Sequence, residues 1–414
     1  MAPLKTKLVL DLAVRRVIDG VFYVGVDDLE LDIFESIWPL PHGVSYNSYL
    51  VVGDDKVALI DTVDARFSNQ LLQNIAEAIG GRRVDYVVLN HLEQDHSGSL
   101  SKVLEEYPDA VVVGTPMAVN IAASFYGASK GCMAVKDGDS IGLGGKTLRF
   151  VQVPWLHWPE TMATYLVEGG VLFSCDAFGS FGALKGKLFD DEVDLDLYLD
   201  EAKRYFSNIV APVAEHVLKA IDKIKCLNLE VRVLAPSHGP VYRRDVAKIV
   251  ELYAKWSKPV FEPKVVIAYS SMYGNVKRMA SEVARGAEDG GARPVLLDLS
   301  RTHLSYALKE VIDAPSIAVG SSTYDGDAHP HVKFFIDALA AKKIRRRSVG
   351  VFTAYAWGSM VHKTIAEALT SRGHAIVEPL IAARASPTED VLRACRTLGE
   401  RLAERALTCT GRRE

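Results

Sequence analysis

The chain has 414 residues and a formal net charge of -4, from 48 lysines and arginines against 52 aspartates and glutamates. That length predicts two or three domains with real cores, and the balanced charge offers no basic field to meet nucleic acid. Five dispersed cysteines, at 132, 175, 226, 395 and 409, contain no CxxC pair, which excludes a rubredoxin-type, iron–sulfur or structural zinc site and suits a reducing cytoplasm.

Residues 1–17 carry Asp11, Arg15 and Arg16 inside their apolar stretch, unlike a secretory signal, and no later apolar run is long enough for a transmembrane helix. Residues 21–26 and 46–52 read as strands, the latter turning at Gly53-Asp54-Asp55 into a hairpin partner over 56–60. Residues 67–79 show helical spacing and stop at Gly80-Gly81. A strand over 84–89, a helix over 99–107, a strand from 111 and a helix over 119–126 follow. Antiparallel strands interleaved with helices predict two packed sheets covered by helices.

Near residue 257 the texture changes. Unbroken apolar strands at 264–269, 316–320, 348–353 and 375–380 alternate with helical stretches, the pattern of a parallel sheet covered on both faces. The expected domains are 1–256 and 257–414, joined by a linker over 252–263.

The segment Asn90-His91-Leu92-Glu93-Gln94-Asp95-His96 gathers two imidazoles and two carboxylates at a strand end. Such a cluster is costly unless a cation neutralises it. An extended tip would aim His91, Glu93 and Asp95 together, with His96 following as the chain turns. Three more candidates stand at later strand ends: His157, Asp176 and His238. Together they supply four histidines and three carboxylates, enough for two metals and one bridge. Glu160 reads as a solvated loop carboxylate in preference to the alternative, a group that orients a ligand imidazole or holds a water, and Tyr205 as either a packing aromatic or a residue facing the site.

On these motifs the first 250 or so residues resemble the metallo-β-lactamase fold, and the whole chain resembles a flavodiiron protein. The hydrolase signature of that fold is HxHxDH with zinc; here Glu93 replaces the second histidine, giving HxExDH. A carboxylate in place of a neutral imidazole hardens the site toward iron. The resemblance implies one iron on His91, Glu93 and His157, a second on Asp95, His96 and His238, and Asp176 bridging. It implies an N-terminal αββα metallo-β-lactamase-like sandwich followed by a flavodoxin-like doubly wound parallel α/β domain.

The run Ser270-Ser271-Met272-Tyr273-Gly274-Asn275-Val276 follows a strand and opens a helix, where free amides and hydroxyls hold phosphate. It resembles the flavodoxin phosphate loop S/T-x-T-G-x-T, with Tyr273 and Val276 departing from it. Val276 removes a hydroxyl, leaving Ser271, Asn275 and main-chain amides to carry the phosphate. Two later loops, Gly320-Ser321-Ser322-Thr323-Tyr324-Asp325-Gly326 and Thr353-Ala354-Tyr355-Ala356-Trp357-Gly358-Ser359, match those flanking an isoalloxazine in this fold. No GxGxxG follows a strand, so FMN suits the loops better than a dinucleotide.

The resemblance implies reduction of O2 to water, of two NO to N2O, or of both, at a non-haem diiron centre fed by FMN. Electrons would come from rubredoxin, another small redox protein or a flavin reductase. A head-to-tail homodimer is implied, with assembly into a dimer of dimers left open. Two rivals remain: a zinc hydrolase with an appended flavodoxin, and a non-catalytic flavin carrier.

Overall fold

The computed structural model describes residues 14–128, 131–258, 260–358 and 360–411, so the readings of residues 1–13 and of Ser359 lie outside it. The chain divides into two compact units. One runs to Phe206 and resumes over Val213–Ser257; the other comprises Ser207–Pro212 and everything from Lys258 onward.

In the first unit two sheets pack face to face. A seven-stranded sheet runs in the order Arg15–Ile18, Val21–Tyr23, Tyr49–Val52, Val57–Ile60, Tyr86–Val88, Val111–Gly114 and Cys132–Ala134. Its hairpin forms where the sequence places it, with Tyr49 opposite Ile60 and Val52 opposite Val57. A five-stranded sheet follows as Ser140–Gly142, Thr147–Gln152, Met162–Leu166, Val171–Cys175 and Val233–Pro236. Val51, Ile60 and Val88 from the first sheet share one buried core with Phe150, Phe173 and Ala235 from the second. Burying these two apolar faces is what holds the sandwich.

Two expectations are corrected here. Residues 46–52 form two strands: Val44–Tyr46 pairs with Val26–Asp28, and Tyr49–Val52 joins the large sheet. Asn47 breaks the run because its amide donates to the carbonyls of Pro236 and Gly239, a better use of a buried polar group than continued extension. Residues 252–257 are helical, being the end of Val246–Ser257, and not linker.

The second unit holds a parallel sheet in the order Arg293–Asp298, Lys264–Ser270, Ser316–Tyr324, Ser348–Tyr355, with Ala375–Ile376 and Ile381–Arg384 beside the last. This is the doubly wound order whose ligands sit beyond the carboxyl ends of the strands. Lys264–Ser270 is buried throughout.

Val276 is the second residue of the helix Asn275–Asp289 and is fully buried in a core with Val265, Ile267 and Met279. The expectation that its side chain faces a phosphate is therefore corrected: the valine anchors the helix beneath the loop. Val276→Thr should not tighten flavin binding. It should destabilise the second unit by about 1–3 kcal/mol through a buried, unpaired hydroxyl. Denaturant unfolding of the flavin-free protein checks this, and an unchanged midpoint with tighter flavin binding would refute it.

Candidate metal and flavin site

The seven ligand candidates converge at one edge of the sandwich. After the strand Tyr86–Val88 the chain is extended only as far as Glu93, then winds into the helical turn Gln94–Ser97. The tip is thus not extended throughout. The turn swings Asp95 and His96 away from His91 and Glu93, separating the motif into two halves.

In one half, His157 Nε2 lies 2.9 Å from Glu93 Oε2, and His91 Nε2 lies 3.3 Å from the same oxygen. In the other, His96 and His238 present Nε2 at 3.3 and 3.2 Å from Asp95 Oδ2. Asp176 stands between them. Its Oδ2 faces His91 and His157 at 3.4 and 3.3 Å, while its Oδ1 faces His96 and His238 at 3.0 and 3.5 Å. One carboxylate offering a separate oxygen to each half is the geometry of a bridge.

Further groups fix these ligands. Glu160 Oε1 lies 2.8 Å from His91 Nδ1, and Ser45 O lies 2.7 Å from His238 Nδ1, so each ring turns its Nε2 inward. Asp176 Oδ1 accepts from Tyr205 Oη at 3.0 Å and from Ser237 Oγ at 2.9 Å. Glu160 is 2 % exposed, so its reading as a solvated carboxylate is corrected; it had to be buried to reach the imidazole. Ser45 and Ser237 gave no signal in the sequence, because their roles arise only when distant strand ends meet.

The donor set fits a pair of metal ions. His96 Nε2, His238 Nε2 and Asp95 Oδ1 are buried and make no well-directed hydrogen bond, although carboxylate oxygens of Asp95 and Asp176 stand 3.0–3.5 Å from the two nitrogens. Burial disfavours the charged form of His96, yet Asp95 and Asp176 outweigh it and raise its pKa to about 10. Asp176 is likewise held well below the usual carboxylate range, its burial overcome by His96 and the other imidazoles. Protons on His91, His96 and His157 thus balance the carboxylates, a role that cations take in a loaded site. A mouth of about 660 Å3 opens over Glu93 and Asp95, walled by Phe34, Phe125 and Trp158 and by the polar Tyr46, Asp64 and Arg66.

In the second unit a cavity of about 450 Å3 lies beyond the strand ends. Of the expected residues, Met272, Tyr273, Asn275, Ser322, Thr323, Tyr324, Asp325, Ala354, Tyr355, Ala356, Trp357 and Gly358 line it, as does Gly326 at the end of its expected loop, joined by Ala385, which the sequence reading missed. Ser270, Ser271, Gly274, Val276 and Ser321 are not among its walls. Ser271 Oγ instead accepts the Gly274 amide, and Ser322 Oγ the Met272 amide, so these hydroxyls shape the loop. Gly274 caps the 15-residue helix at φ 88° without any side-chain hydrogen bond, leaving the helix amides available to an anion. Tyr273 and Trp357 are 87 % and 90 % exposed, rings set to cover a planar ligand. These residues fit a flavin with a terminal phosphate.

Comparison with known proteins agrees with both halves. Residues 44–239 match the model of the ODP family beta lactamases, and residues 267–399 match flavodoxin. A nitric oxide reductase of Moorella thermoacetica is 35 % identical over 94 % of this chain and 97 % of its own. The flavodiiron protein of Giardia intestinalis superposes with a TM-score of 0.91 at 29 % identity, covering 98 % of this chain and 99 % of that one. This chain is a flavodiiron protein. A third relative, the rubredoxin oxygen:oxidoreductase of Desulfovibrio gigas, superposes with a TM-score of 0.91 at 28 % identity over 96 % and 99 % of the two chains. The relatives are oxidoreductases, and the hydrolase alternative falls with them. Among the described residues no helix is long and apolar enough to cross a membrane.

Proposed function

We propose that the protein is a flavodiiron reductase of O2, NO or both, with two non-haem irons and one FMN per chain. The observation that carries this reading is Asp176, which offers one oxygen to each half of a seven-residue ligand set. His91, Glu93 and His157 would hold one iron, Asp95, His96 and His238 the other, and Asp176 would bridge them. When bound, the iron pair would supply stored electrons, and FMN would convert single-electron delivery into paired delivery.

The chain's own residues prepare that chemistry. Glu160 and Ser45 lock the tautomers of His91 and His238, so both rings present a lone pair inward. Tyr205 Oη, buried and 3.0 Å from Asp176, holds a proton beside the bridging carboxylate. Phe34, Phe125 and Trp158 narrow the mouth with apolar surface, which suits a small uncharged substrate. The relatives' names divide between nitric oxide and oxygen, which supports either gas as the substrate.

Rubredoxin, another small redox protein or a flavin reductase would donate electrons to FMN, in the cytoplasm, without membrane or nucleic acid. Metal and flavin analysis of the purified protein, with gas consumption after chemical reduction, tests the reading. About two irons and one FMN per chain are expected; zinc in place of iron, with no gas consumed, would defeat it.

The same reading includes a head-to-tail homodimer, possibly paired again, in which FMN of one chain serves the irons of the other. A His91→Ala variant mixed with one disrupted over residues 271–275 should regain activity only after subunit exchange, with up to roughly half of the sites complete. Verified heterodimers that stay inactive, while each variant keeps its remaining cofactor, would place transfer within one chain.

A further inference from the structure

The two halves of the ligand set are served unequally by the groups behind them. In the half that holds Glu93, His91 turns Nδ1 toward Glu160 Oε1 at 2.8 Å, so a buried carboxylate stands behind the ring. In the half that holds Asp95, His96 Nδ1 is buried without a hydrogen-bond partner. Asp61, whose charge is felt at His96, gives its two oxygens to the backbone and side-chain amides of Asn90. His238, the other imidazole of that half, has only the neutral carbonyl of Ser45 at its Nδ1, 2.7 Å away.

Asp176 repeats the imbalance. Its Oδ1, turned to His96 and His238, already accepts from Tyr205 Oη at 3.0 Å and from Ser237 Oγ at 2.9 Å. Its Oδ2, turned to His91 and His157, has the Cys175 thiol beside it at 3.8 Å, a far weaker donor than a hydroxyl. An oxygen that accepts two hydroxyls has less charge left for a cation. An imidazole backed by a carboxylate is the more basic ligand. Each half has one carboxylate of its own and shares Asp176, so formal charge does not separate them and these outer groups do.

We infer that the two metal positions differ in affinity. The position of His91, Glu93 and His157 fills first and holds its ion; that of Asp95, His96 and His238 fills second and empties first. This rests on the two-metal reading above. Glu160 on one side, and Tyr205 with Ser237 on the other, are the positioning residues that set the difference. The consequence is regulatory, because chemistry shared between two ions stops when either is missing. Gas reduction then follows metal supply to the weaker position, and ceases while the stronger one is still filled.

The test starts from the full chain with its metal and FMN. It is dialysed without oxygen against graded chelator, and metal per chain is counted. Crystals taken near one metal per chain are read by the anomalous scattering of that metal. Location is the readout, because neighbouring cations repel and would leave in two steps even from equal positions. The retained ion should lie beside Glu93; an ion beside Asp95, or one shared equally, overturns the inference. Glu160→Gln keeps a hydrogen-bonding group but removes its charge, and should weaken retention beside Glu93 by roughly 10–100-fold. Ser237→Ala should act in the opposite sense, the ion beside Asp95 surviving roughly three-fold more chelator. Ser237→Thr keeps the hydroxyl and should match the native chain. A serine that merely supports the structure would make Ser237→Ala lose both ions more easily, and that result also overturns the assignment. The order is read with whichever metal the protein holds. Failure of the reductase reading is therefore seen separately, as ions that leave in the expected order from a protein that consumes neither gas.

Discussion

Asp176→Ala should leave a protein that keeps its FMN and loses both irons, with gas reduction falling by more than about 100-fold. Removing an outer partner of a metal ligand already costs 10–100-fold in metal affinity by that precedent, and Asp176 is a shared ligand in the proposed centre. Its two oxygens serve the two halves separately, whereas Glu93 and Asp95 each face the imidazoles of one half only. Tyr205 and Ser237 would also lose their common acceptor, leaving two buried hydroxyls unpaired. Metal analysis, flavin absorbance and gas consumption on one preparation check the result. A variant with both irons and native turnover would remove Asp176 from the bridge.

Glu93→His should change the metal as well as the rate. Glu93 Oε2 lies near Nε2 of both His91 and His157, and burial of the carboxylate is overcome by these imidazoles, which lower its pKa. A third imidazole in that position removes one negative charge and restores the HxHxDH pattern. Zinc should then displace iron, and O2 and NO consumption should fall to background because zinc does not change oxidation state. Expression in medium containing both metals, followed by metal analysis and single-turnover assay of the reduced protein, decides it. Retained iron with retained turnover would show that the charge of Glu93 does not select the metal.

What the sequence made legible was whatever lay close together along the chain. His91, Glu93, Asp95 and His96 announce themselves because four potential ligands within six positions have few other uses. The later ligands were readable because each ends an apolar strand, and strand ends on one edge must meet. The helical turn Gln94–Ser97 was not readable: an alternating ligand pattern looks like a strand, and only the fold shows the chain winding after Glu93. Glu160 was misjudged for a related reason. A carboxylate three residues beyond a ligand looks solvated until His91, 69 positions earlier, is placed 2.8 Å away. Val276 shows the opposite error, in which a motif position was read as facing the ligand although the helix turns it into the core. Periodicity identified the helix, but not which face of its first turn the sheet would claim.

The placement of the ligands has a mechanical consequence. His91, Glu93, Asp95 and His96 follow a strand of the large sheet, whereas His157, Asp176 and His238 follow strands of the small one. Each proposed ion therefore draws its ligands from both sheets and staples the sandwich shut along one edge. Much of the grip between the sheets at that edge is then a function of metal supply, because binding to the folded state alone adds to its stability. Starved of iron, the first unit would be the softer part of the chain and the first exposed to proteases, while the flavodoxin-like unit, whose core holds none of these residues, would keep its firmness.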